Sequence, residues 1–174
     1  EVYMLHDEVL ISMLQDSKRI LFILCGLPYA GKSFIANQLI RNTKIEVIAI
    51  DDIFESRGFD WNTNKLPTAT EWQEIFVESY EAVHDALRQG KNVLYDSTNH
   101  TKASRDALRE VATSVGASSC VIYVKTPAEV IWERWRENQK SPSRPQVSAE
   151  LVQATIDSFE EPQGEENVIV IDNA

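Results

Sequence analysis

The chain has 174 residues, with 27 acidic against 17 basic side chains and a formal net charge of −10. At 43% hydrophobic and 25% charged residues it has the composition of a globular protein with a single core, not of a disordered chain. The acidic balance argues against broad, non-specific nucleic-acid binding, and no apolar run reaches the roughly 18–20 residues that span a bilayer.

The expected first element is an amphipathic helix over residues 1–19, in which Leu5, Val9, Leu10, Met13 and Leu14 cluster. Asp7, Glu8 and Asp16 interrupt this stretch, so it does not read as a secretory signal. Glu1 is not an initiator methionine, and further residues are expected to precede it. Cys25 and Cys120 each lie inside an apolar run and read as reduced core thiols, which makes the expected setting cytoplasmic.

Five short apolar runs follow: Ile20–Cys25, Ile45–Ile50, Asn92–Tyr95, Cys120–Val124 and Val168–Ile171. Most are rich in β-branched residues, as strands buried on both faces of a parallel sheet are. Helical patterns separate them at Ser33–Arg41, Ala69–Gln89, Lys102–Val115, Pro127–Asn138 and Ser148–Phe159. Gly90 and Gly116 stand where the second and third should end, and Ser148 is placed to cap the fifth. Strand and helix in alternation predict an α/β doubly wound sheet, because parallel neighbours require crossover helices. Residues 1–174 are expected to form one domain, with no linker or repeat.

Directly after the first strand stands Gly26-Leu27-Pro28-Tyr29-Ala30-Gly31-Lys32-Ser33, followed by Phe34 in the next helix. It has the full Gly-x-x-x-x-Gly-Lys-Ser spacing. The glycines permit a tight turn whose N–H groups point at a polyphosphate, and the following helix adds its positive end. Lys32 is expected to reach the β- and γ-phosphates, and the Ser33 hydroxyl to ligate Mg²⁺. This stretch predicts binding of a nucleoside triphosphate.

Two further strands lead into carboxylates, Asp51-Asp52 and Asp96. Parallel strands deliver their C-terminal ends to one edge, so all three acids should meet the phosphate loop. A guanine-specific Asn/Thr-Lys-x-Asp motif is missing: Asn64-Lys65-Leu66-Pro67 and Thr43-Lys44-Ile45-Glu46 both lack the Asp. Nor does a Glu follow the strand-terminal Asp, as it usually does in motor ATPases. A small phosphotransferase fits better. It needs an acid for the acceptor hydroxyl and a cationic lid. Arg134, Arg136, Lys140 and Arg144 crowd into eleven positions, and a lid is expected over about residues 139–147.

The chain resembles the P-loop kinase family that includes bacteriophage polynucleotide kinase, zeta toxins and related small AAA-type kinases. The likeness runs from Ile20 to about Phe159. It rests on Gly26–Ser33, Asp51-Asp52, Asp96-Ser97-Thr98-Asn99 with Arg105, and Pro127 with Arg134. It implies a three-layer fold with a five-stranded parallel sheet in the order 2-3-1-4-5. It implies ATP as donor, Mg²⁺ held by Ser33 and Asp96, and Asp51 as base, with Asp52 the alternative. Asp96, Thr98, Asn99 and Arg105 are expected on the acceptor side, and Arg134 and Arg144 in the lid. The chain departs from polynucleotide kinase three residues past Asp51, where Phe54 stands and the nearest arginine is Arg57, a further substrate candidate. Tyr29 and Ala30 also replace the small residues common in the middle of the loop.

The expected function is transfer of the ATP γ-phosphate to a hydroxyl, with a small-molecule acceptor preferred. A polynucleotide or nucleotide kinase is the alternative, and an ATP-binding regulatory module is the reading from another class. His6, His84 and His100 share no metal spacing. Trp72 and Trp135 read as core, His100 as surface, and Trp61 as part of a Phe54–Thr68 loop over the acceptor pocket.

Overall fold

The computed structural model describes residues 19–42 and 44–173. Apart from Arg19, the expected N-terminal helix lies outside them. Five strands, β1 (Ile20–Cys25), β2 (Ile45–Ala49), β3 (Asn92–Asp96), β4 (Ser118–Lys125) and β5 (Val168–Asp172), form one sheet in the order β2-β3-β1-β4-β5. Every pair is parallel, and β1 is central, with Phe22 registered against both Leu94 and Cys120. This is the expected architecture.

Alternation along β1 divides the core in two. Ile20, Phe22 and Leu24 face the layer made by α1 (Lys32–Asn42), α5 (Ala128–Lys140) and α6 (Ala149–Ser158), meeting Ile35, Ile131 and Val152. Leu21, Ile23 and Cys25 face α3 (Ala69–Arg88) and α4 (Lys102–Ser114), meeting Ile75, Leu87 and Leu108. All six β1 residues are buried, so the run is apolar without interruption. Truncating Phe22 to alanine would cost about 3–5 kcal/mol in lost burial and cavity.

Local signals explain several helix ends. Thr68 and Glu71 form a reciprocal capping box at the start of α3, and Gly90, at φ 84°, lets the chain leave it. Thr101 caps α4 and Ser148 caps α6 through their hydroxyls.

One element differs from expectation. β2 stops at Ala49, and Ile50 begins the short helix α2 (Ile50–Ser56) instead of ending the strand. Asp51 and Asp52 therefore occupy the first turn of a helix, a favourable place for carboxylates. No side-chain cap announces this helix, because Ala49 stands at the N-cap. It is held instead by tertiary packing: Phe54 is fully buried and its ring stacks on Trp61 and Trp72 at 4.8 and 5.7 Å. The loop that follows is correspondingly shorter, from Arg57 to Thr68.

Candidate active site

The phosphate loop joins β1 to α1 and is braced from outside by its own carbonyls. Arg134 Nη1 on α5 donates to Tyr29 O at 2.9 Å. Asn173 Nδ2 and Thr126 Oγ1 donate to Ala30 O at 2.6 and 3.0 Å. The loop is also tied to the neighbouring strand end, where Gly26 N donates to Thr98 O at 3.0 Å. A side chain at Gly26 would press on Val124 O at 2.9 Å, and Gly31 sits at φ +99°, so both glycines are required by geometry. Tyr29 also adopts positive φ, 65°. With its carbonyls engaged outward, the loop leaves amide donors for an anion, at the N-terminus of the eleven-residue α1.

Lys32 Nζ donates to Gly26 O and Leu27 O at 2.9 and 2.8 Å, which folds the side chain over the loop. Burial lowers its pKa to about 8; Asp96 and Asp51 oppose that shift and Arg144 reinforces it. Asp96, at the end of β3, is pushed above the usual carboxylate range, first by burial and then by Asp51 and Asp52, while Lys32 pulls it back. All of these groups but Asp52 face one cleft of about 390 Å³.

The cleft brings together Pro28–Ser33 of the loop with Asp51, Asp96, Thr98 and Arg144. Gly26 and Leu27 lie beneath it as carbonyl partners of Lys32. Phe34 is exposed on α1. Asp52 is exposed and does not line the cleft.

Three expected acceptor-side residues lie elsewhere. Arg57 is tied to Glu74 and Glu78 on the flank of α3. Asn99 is buried behind β1, where its amide donates to Leu24 O at 2.6 Å. Arg105 is fully buried, with both oxygens of Glu165 and the carbonyls of Asn99 and Glu160 as acceptors. It fixes the bend after Thr98 from behind. Arg134 likewise acts on the loop backbone, at Tyr29 O.

The segment after α5 is irregular, and Asn138 organises it. This buried amide accepts from Ser143 N and Arg144 N at 3.0 and 3.2 Å and donates to Arg144 O at 3.2 Å. The Arg144 guanidinium consequently lies over the Tyr29 ring, 4.2 Å from its centroid. Trp135 Nε1 holds Val147 O at 2.8 Å, and Gln146 N reaches Asn62 Oδ1 at 3.0 Å, which ties this segment to the loop after α2.

Sequence reasoning missed Asn138 and Asn173, which make ordinary amide contacts that no motif marks. Trp72 packs against the core, as expected, and also lines the cleft, as do Trp61, Phe76, Ser97 and His100, the last expected at the surface. Burial lowers the His100 pKa below its ordinary value, opposed by Glu160, so the ring is neutral at pH 7. Trp135 packs at the edge of the core, as its helical position suggested.

A protein-family model described as an AAA domain matches residues 21–162. Protein KTI12 of Saccharomyces cerevisiae is 25% identical over 151 residues, which cover 82% of this chain and 46% of that protein. The chain thus spans about half the length of the curated relative it matches. Among solved structures, a sugar kinase from Janibacter superposes with a TM-score of 0.66 at 22% identity, covering 89% of this chain and 85% of the other. Kti12 of Chaetomium thermophilum in complex with ADP-AlF3 superposes with 0.64 at 19% identity, covering 87% and 88%. The fold is shared with P-loop kinases.

Proposed function

The chain belongs to the AAA-domain family whose model it matches, and from that premise we propose that it is an ATP-dependent phosphotransferase acting on a hydroxyl of a small molecule. One observation carries this reading: Lys32, Asp51, Asp96 and Arg144 face a single cleft at the phosphate loop. The Chaetomium Kti12 complex with ADP-AlF3 supports nucleotide occupancy of such a loop.

In this reading the loop amides and the Lys32 ammonium hold the β- and γ-phosphates, and the Arg144 guanidinium covers them. Asp51, in the first turn of α2, takes the proton of the acceptor hydroxyl. Arg134 keeps the loop in shape through Tyr29 O rather than touching phosphate. The Ser33 hydroxyl and Asp96 carboxylate are hard oxygen donors that would suit Mg²⁺. When bound, that ion draws charge from the transferring phosphoryl group. Free, buried Cys25 and Cys120 support a cytoplasmic setting. Among the described residues no helix is long and apolar enough to cross a membrane.

The test is transfer of γ-labelled phosphate from ATP, with Mg²⁺, to a metabolite pool and separately to oligonucleotide 5′-hydroxyl ends. Label is expected on small molecules, with Lys32→Met about 10²–10³-fold slower. Label on oligonucleotide ends instead would contradict the small acceptor. Tight ATP binding with no acceptor-dependent transfer would contradict the kinase reading itself.

A further inference from the structure

Part of the cleft wall is built from rings. Trp61, Trp72 and Phe76 line it, with centroids 6.1 Å apart for both the Trp61–Trp72 and Trp72–Phe76 pairs. They are backed by fully buried Phe54, on which Trp61 stacks at 4.8 Å with 14° between the planes. The loop carrying Trp61 is pinned on both flanks. Asp60 and Lys65 exchange backbone hydrogen bonds at 2.9 and 3.1 Å, and Asn62 is held by Gln146 N of the lid. This aromatic shelf is therefore prearranged, so little ordering entropy is lost when a flat ligand stacks on it.

The rings themselves carry no charge, and the charged groups lining the cleft are few. Among the described residues lining the cleft, the only cations are Lys32 and Arg144, both assigned in the proposed reading to the donor phosphates, and His100 is neutral at pH 7. The nearest arginine of the covering loop, Arg57, is held by Glu74 and Glu78. Asp51 and Asp96 face inward. A phosphorylated acceptor would bring a second set of negative charges to a wall that offers carboxylates and rings. A ringless polyol would leave the shelf without a partner.

We infer that the acceptor is a small, non-anionic alcohol carrying a flat unsaturated ring, which stacks on Trp61, Trp72 and Phe76 while its hydroxyl meets Asp51. The inference rests on the proposed phosphotransferase reading and names its substrate class. In the transfer, the acceptor oxygen forms a bond to the γ-phosphorus. The bond from that phosphorus to the β–γ bridging oxygen breaks, and ADP leaves with the electron pair. The hydroxyl proton goes to the Asp51 carboxylate.

The experiment offers the whole chain Mg²⁺ and γ-labelled ATP with three groups of acceptors. These are cytidine, thymidine and pyridoxine as ring alcohols, glycerol and erythritol as ringless polyols, and cytidine monophosphate as the anionic counterpart. Equilibrium dialysis of labelled cytidine and of a non-hydrolysable ATP analogue reads binding without turnover. At least one ring alcohol is expected to be used at least tenfold better than any polyol or the monophosphate. Trp61→Ala and Trp72→Ala should each raise its KM or Kd by about 5- to 150-fold, with the ATP-analogue Kd unchanged. Preference for a polyol or for the monophosphate would overturn the inference and leave the kinase reading standing. So would an unchanged ring-alcohol Kd in both variants, or an equal loss of ATP-analogue binding, which would make the shelf an adenine site. Ring-alcohol binding without transfer to anything would overturn the phosphotransferase reading, and the acceptor assignment with it.

Discussion

The two ends of the cleft are built by different means. At the donor end the working groups are largely backbone, held by carbonyl bonds from Arg134, Asn173 and Thr126. At the end proposed for the acceptor they are side chains on a short helix and a loop, held by stacking on Phe54 and by one bond from the segment after α5. A backbone site tolerates few sequences, because glycine and one lysine must fall at fixed spacing. A stacking site tolerates many, since any flat ring packs. A common fold can therefore keep such a loop while the opposite wall is free to specialise.

Lid variants test how far the two ends are separable. Arg144→Ala should slow transfer by about 10²–10³-fold by removing a guanidinium from the phosphoryl group, as steady-state kinetics with the best acceptor would show. A drop of less than threefold would assign Arg144 to packing on Tyr29 alone.

Asn138→Ala acts through Arg144 and should cost less. It strips the lid of three hydrogen bonds and leaves two backbone N–H groups to find new partners, for about 1–3 kcal/mol of local or global stability. The expected result is a roughly tenfold fall in kcat with the acceptor KM nearly unchanged. Asn138→Asp, which keeps the oxygen that accepts from Ser143 N and Arg144 N, should recover most of it. Equal loss in both variants would mean that the segment has simply unfolded.

The smallest effect is a pH dependence confined to the donor end. Lys32 must be charged to hold phosphates, and its pKa in the free protein is lowered to about 8. The Kd for a non-hydrolysable ATP analogue should accordingly rise above pH 8, by at most tenfold per pH unit, while ring-alcohol affinity stays flat. Stability responds with the opposite sign. The unfolded chain holds the Lys32 proton up to about its ordinary value of 10.5, so this group makes the fold more stable as pH climbs from about 8 towards it. Urea titrations at pH 8 and 10 separate the two signs.

The contrast also explains what could be read without coordinates. The parallel sheet, the phosphate loop and the edge carrying Asp51 and Asp96 follow from apolar runs and fixed spacing, the strand order from the family resemblance, and they stand where expected. The helix α2 was hidden because its start has no capping side chain and its stability comes from Phe54 packing. Trp72 packs on the core as its helical periodicity predicts, but that periodicity does not reveal that the same ring also lines the cleft. Arg105 looked like an acceptor-side cation because nothing local reveals a carboxylate sixty positions away, at Glu165. Asn138 and Asn173 were invisible for a similar reason: a lone asparagine acquires meaning only from the carbonyls and amides that the fold brings to it.

Asp51→Asn is the variant in which donor and acceptor functions part most cleanly, since it removes the base while preserving size. It should keep the ATP-analogue Kd within about twofold and slow single-turnover phosphate transfer by about 10²–10⁴-fold. Transfer at the full rate would contradict the assignment of Asp51 and, with it, the account of the cleft as a phosphoryl-transfer site.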